Sequence, residues 1–174
     1  MKTMYRLLIL FFIFQASALC GQDMKKILAD GLKSTHSETG WFVTLNTAVD
    51  GVTAEQAMWK DGSGNHSVGQ LVYHLWFWND RQLKKFKGQK VTDGPGDNNE
   101  TFDKFDQKQW EKLVSDLANV MTEMENWVVS ADDASLKQNA ATLINVMNHN
   151  AYHIGQIVFV RKLQKTWNAE KGVK

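Results

Sequence analysis

The segment NHNAYHIGQI at residues 148–157 sets His149 and His153 four residues apart in an otherwise apolar, helix-like stretch. On a helix, residues i and i+4 stand one turn apart with Cβ atoms about 5–6 Å from each other, close enough for two imidazoles to converge on one ion. Both share a face with Val146, Gln156 and Val160, so they point inward with the core. Unpartnered polar groups in a core cost roughly 1–3 kcal/mol each, and one metal ion would satisfy both rings. The spacing alone leaves a second explanation open: two core histidines hydrogen-bonded to asparagine or backbone.

A third imidazole comes from far upstream. His74 falls on the apolar face of an earlier helix, with Leu71, Leu75 and Trp78. Three inward histidines on two helices can supply three ligands and leave one coordination position open, the arrangement of catalytic zinc sites. Gln156, three residues past His153, is the candidate for orienting a ligand or a bound water from behind. No carboxylate base is evident, because Asp80 lies six residues past His74 and about 120° off its face on a 3.6-residue helix. The catalytic residues are therefore unidentified. Since imidazole must be neutral to coordinate, binding is expected to weaken below about pH 6.

The elements that must hold these residues are helices. Apolar residues recur at three- and four-residue spacing, and Pro95 is the single proline. A first helix is predicted over about 24–49, with Ile27, Leu28, Leu32, Trp41, Phe42 and Leu45 as anchors and a break favoured by Gly31 and Gly40. A short piece, VTAEQAMW, follows with Thr53 as N-cap. The second long helix opens near Ser67 and carries His74; the third spans about 107–129, and the fourth about 139–164 carries His149 and His153. The stretch KGQKVTDGPGDNNET between the second and third is a polar loop, and its carboxylates do not match an EF-hand spacing. Its length suits helices that are not antiparallel neighbours. Four helices of these proportions make an all-α four-helix bundle with crossover loops.

Ahead of the bundle, residues 1–20 read as a signal peptide: Lys2 and Arg6, an apolar run from Leu7 to Phe14, then Ala16-Ser17-Ala18. The run is too short to span a bilayer, which takes about 20 residues. The expected protein is exported, periplasmic or secreted, with residues 21–174 as one domain. A lipid anchor at Cys20 is the weaker alternative, since Leu19 rather than a small residue precedes it. Cys20 is the sole cysteine, so no internal disulfide forms. Removing the leader takes two of the 20 basic residues and none of the 19 acidic ones, leaving 18 against 19 and a net charge of −1. That balance offers no nucleic-acid surface.

The segment NHSVGQLVYHLWFWNDRQL, followed some 75 residues later by NHNAYHIGQIVFVRKL, resembles the DinB-like family of bacterial four-helix bundles. Ser67-Val68 leading to His74 matches that family's opening of the second helix. His149, His153, Gly155, Gln156 and Ile157 match its fourth-helix motif, and VDGVTAEQAMW is similar to its short helix before the turn. The resemblance implies one divalent metal ion, usually nickel or zinc, held by His74, His149 and His153. It also implies a range of activities: thiol transferases, a thiol-dependent isomerase and proteins described as hydrolases.

Export departs from the thiol-dependent members, because a reduced thiol pool is not expected outside the cytoplasm. The expectation is thus a metal-dependent hydrolase of an unidentified small-molecule substrate. The alternatives are a thiol-dependent S-transferase, a metal- or ligand-binding bundle without catalysis, and a haem-binding bundle using His149 or His153. No nucleic acid and no transmembrane segment are expected, and a homodimer is an assembly the sequence permits.

Overall fold

The computed structural model describes residues 24–92, 94–102 and 105–173. Residues 1–20, expected as a signal peptide, and with them Cys20, lie outside the described residues. All regular structure among the described residues is helical: residues 24–36 (α1), Leu45–Val49 (α2), Ala54–Met58 (α3), Val68–Phe86 (α4), Trp110–Ser130 (α5) and Asp133–Leu163 (α6). Short 3₁₀ turns cover Asn98–Thr101, Gln107–Gln109 and Ala169–Lys171. None of the described helices is long and apolar enough to cross a membrane.

Side-chain caps explain where the helices begin. Ser67 and Gln70 form a reciprocal capping box at α4, and Thr53 and Gln56 do the same at α3. Each box satisfies two backbone N–H groups that the first turn leaves without intrahelical partners. Asp132 caps α6 by accepting from the Ser135 amide at 2.7 Å. As a result α6 starts six residues earlier than the periodicity predicts, with Asp132 as its cap and Asp133 as its first residue.

The predicted first helix divides. α1 ends at His36, residues 37–44 form turns, and α2 restarts after its cap Thr44. The break strips Trp41 and Phe42 of their predicted anchoring role: Trp41 is fully exposed and Phe42 partly so, while Ile27 also faces solvent. Leu28, Leu32 and Leu45 are buried as expected. Gly31 sits where a Cβ would meet the Met147 side chain, which lets α1 press closely on α6.

Contacts set the helix directions. Tyr73 and Trp76 lie near Gln109 and Leu113 at one end of the α4–α5 pair, and Phe86 stacks on Trp127 at the other. α4 and α5 are therefore parallel, and residues 87–109 cross from the end of one to the start of the other. α6 runs antiparallel to α4: Leu71 shares one apolar cluster with Ile154 and Ile157, and Leu83 shares the other with Leu143 and Val146. α1 is antiparallel to α5, since His36 meets Glu125 while Lys25 lies near Asp132.

Two apolar clusters fill the bundle. One joins α2, α3 and the first halves of α4 and α5 to the end of α6; the other joins α1 to the ends of α4 and α5 and the start of α6. Arg161 ties α6 to α2, donating from Nη1 to the carbonyls of Ala48 at 2.7 Å and Asp50 at 3.2 Å. The polar residues of interest lie along α4 and α6 between the two clusters.

Candidate metal centre

His74 from α4 and His149 and His153 from α6 meet between these helices, each offering a ring nitrogen within 4.8 Å of the others. The Nε2 atoms of His74 and His149 are 3.0 Å apart. His74 and His153 are buried, and His149 is half-buried at the edge of a cavity of about 560 Å³. This is the convergence the spacing predicts: the helical period brings His149 and His153 to one side of α6, and the antiparallel register brings His74 opposite.

Two outer partners orient the rings. His153 Nδ1 donates to Gln156 Oε1 at 2.6 Å, three residues further along the same helix. The Gln156 amide donates in turn to the Tyr152 hydroxyl at 3.3 Å. His74 Nδ1 lies 2.5 Å from Thr101 Oγ1, in the crossover between α4 and α5. With Nδ1 of His74 and His153 facing these partners, Nε2 is the atom of each ring that could coordinate an ion.

Burial holds the rings neutral. It pushes His74 down to about 3, with His153 and His149 nearby adding to the effect. It pushes His149 down to about 4, again with help from His153. His153 is lowered too, chiefly by burial and partly offset by its bond to Gln156. Neutral imidazoles keep the lone pairs that coordination needs, so protons compete for the nitrogens only at a lower pH than free histidine suggests.

The donor set fits a divalent ion. Nitrogens bonded to one tetrahedral ion at about 2.0–2.1 Å lie about 3.4 Å apart, so a pair at the 4.8 Å limit would draw inward by about 1.4 Å. Such a movement is within reach of side-chain rotation.

The other histidines take different parts. His36 is buried and bonds Glu125 Oε1 through Nδ1 at 2.7 Å, far from the cluster. His66, in the turn before α4, stacks on Phe102 at 3.8 Å, and the opposite face of that ring stacks on His74 at 4.0 Å. Trp78 walls the cavity, whereas Asp80 pairs with Lys84 at 2.6 Å and does not line it. Tyr152 lines the cavity; Tyr73 packs near Trp76 on another side of α4.

Thr101 and Phe102 escape sequence reasoning because they sit in an aperiodic loop. Asn79 and Asn150 form a buried reciprocal amide pair beside the histidines, at 2.8 and 3.2 Å. This pair accounts for Asn150 in the motif: it braces α6 against α4. Among the described lining residues there is no Asp, Glu, Lys or Arg; Gln82, Asn98, Thr142 and Asn145 supply the remaining polar groups.

The family model of the DinB superfamily matches residues 41–157, from the turns before α2 into the last third of α6, and so includes all three histidines. No curated protein and no solved structure matches the chain.

Proposed function

The chain belongs to the DinB superfamily, and from that premise we propose an exported, metal-dependent enzyme that hydrolyses a small substrate at His74, His149 and His153. The observation that carries the proposal is the convergence of three neutral imidazoles on one edge of a cavity large enough for a small molecule. Nickel or zinc suits a set of three imidazoles. Bound there, the ion would supply Lewis-acid chemistry, activating water for hydrolysis or a thiol for transfer.

The protein's own groups do the rest. Trp78 and Phe102 give flat apolar walls, against which an uncharged part of the substrate can lie. Gln82, Thr142 and Asn145 present amide and hydroxyl groups to its polar atoms. Tyr152 is the one proton-bearing acid among the described lining residues besides the histidines. Its oxygen accepts from Gln156, which leaves its own proton free for a leaving group.

A second reading draws on the lining. With no carboxylate among the described lining residues to serve as general base, chemistry that needs none is favoured, either thiol transfer or ligand binding without turnover. Parallel screens of the metal-loaded protein separate the three. Hydrolysis of small esters or amides without thiol, lost in His74→Ala, supports the proposal. Turnover only with an added thiol supports the transferase, and metal at full occupancy with no turnover in either screen supports the binding protein.

A further inference from the structure

The crossover between α4 and α5 does more than connect two parallel helices. Its segment Asn98–Phe102 lies directly over His74, and two of its residues are buried although they sit outside the long helices: Thr101 at 1% and Phe102 at 5% exposure. Thr101 Oγ1 donates its single proton to the Asn98 carbonyl at 2.7 Å. The same oxygen lies 2.5 Å from His74 Nδ1. With its proton committed, the hydroxyl can only accept there, so Nδ1 must carry the imidazole hydrogen and Nε2 the lone pair. That lone pair faces His149 Nε2. Phe102 holds the plane of the His74 ring by stacking at an interplanar angle of 5°, and Trp78 Nε1 anchors the segment by donating to Asn98 Oδ1 at 3.2 Å.

We infer that Thr101 is a positioning residue of the metal centre, fixing the tautomer and direction of His74, and that metal uptake and docking of the crossover are thereby coupled. The inference rests on the three-histidine reading above and adds to it a residue supplied by the loop. Coupling of this kind is reciprocal: a docked crossover favours the ion, and the ion favours the docked crossover to the same extent.

The test uses the whole chain and two substitutions. Thr101→Val keeps the shape and removes the hydroxyl; Thr101→Ser restores it. Zinc affinity by chelator competition should fall about 10- to 100-fold in Thr101→Val and return to within about threefold of the parent in Thr101→Ser, where the hydroxyl is again present. In metal-free parent protein, nitrogen NMR should show His74 protonated at Nδ1, with the other tautomer appearing in Thr101→Val. Hydrogen exchange at residues 98–102 should slow on adding zinc to the parent and respond less in Thr101→Val.

A purely structural threonine would lower the melting temperature of Thr101→Val while leaving zinc affinity and tautomer unchanged, and that result overturns the inference. So does an Nε2–H tautomer of His74 in the metal-free parent, a reading available even if Thr101→Val fails to fold. Absence of zinc binding by the parent would instead overturn the metal reading, while the tautomer measurement still judges Thr101.

Discussion

Asn79 of α4 and Asn150 of α6 clasp each other's amides in the core, at 2.8 and 3.2 Å; Asn79 lies five residues past His74, and Asn150 directly follows His149. Asn79 also donates to the Leu75 carbonyl at 2.8 Å, so its amide protons are used inside the bundle. A slide of α6 along α4 would break both inter-helix bonds and separate His74 from His149. The pair sets the register on which the metal centre depends.

Removing one member strands the other. Asn79→Ala or Asn150→Ala should each cost about 1–3 kcal/mol, the penalty of a buried polar group without a partner. The double replacement should cost less than the sum by about 0.5–3 kcal/mol, because nothing is then left stranded. Urea denaturation of the four proteins measures the coupling. Strict additivity would mean that the two amides do not act as a unit.

Much of this centre was legible from residue order, for a physical reason. His74, His149 and His153 lie on long helices, where a fixed period converts spacing into direction, and Gln156 belongs to the same turn as His153. Thr101, Phe102 and the stacked His66 lie where no period operates, so only the folded chain reveals them. Trp41 and Phe42 show the converse. Their predicted inward phase holds only where the helix runs on unbroken, and the turns at 37–44, which include Gly40, remove it. At α6 the polar Asp132–Ser135 stretch carries no apolar period, so the cap and first turn fell outside the helix predicted from about 139.

Acid should weaken the metal-free fold in a window set by the histidines. Their folded values are depressed, to about 3 for His74 and about 4 for His149, against an unfolded value of 6.5. The unfolded chain thus binds more protons between those limits. The stability they contribute is fully present above about pH 6.5 and is lost progressively as pH falls through the folded values. Urea midpoints of metal-free protein should drop between pH 6.5 and 4, and less steeply in His74→Gln. Midpoints unchanged across that range would contradict burial of neutral rings. The same depression revises the limit of about pH 6 expected for metal binding from free imidazole: bound metal should persist to a lower pH.

Export makes a separate prediction. The leader pattern at residues 1–20 implies a mature amino terminus between residues 19 and 23. Intact mass of the protein recovered from its native host gives that terminus directly. A chain still beginning at Met1 in the cytoplasm would remove the case against thiol transfer.

The central claim is that His74, His149 and His153 together hold one divalent ion, and metal content per chain tests it most directly. Protein exposed to nickel or zinc, freed of loose metal and analysed by mass spectrometry of the elements, should carry one ion per chain. His74→Ala, His149→Ala and His153→Ala should each lose most of it, whereas His36→Ala, whose ring is bonded to Glu125, should keep it. A parent protein that retains no ion, or one whose ion survives each of the three replacements, would contradict the account.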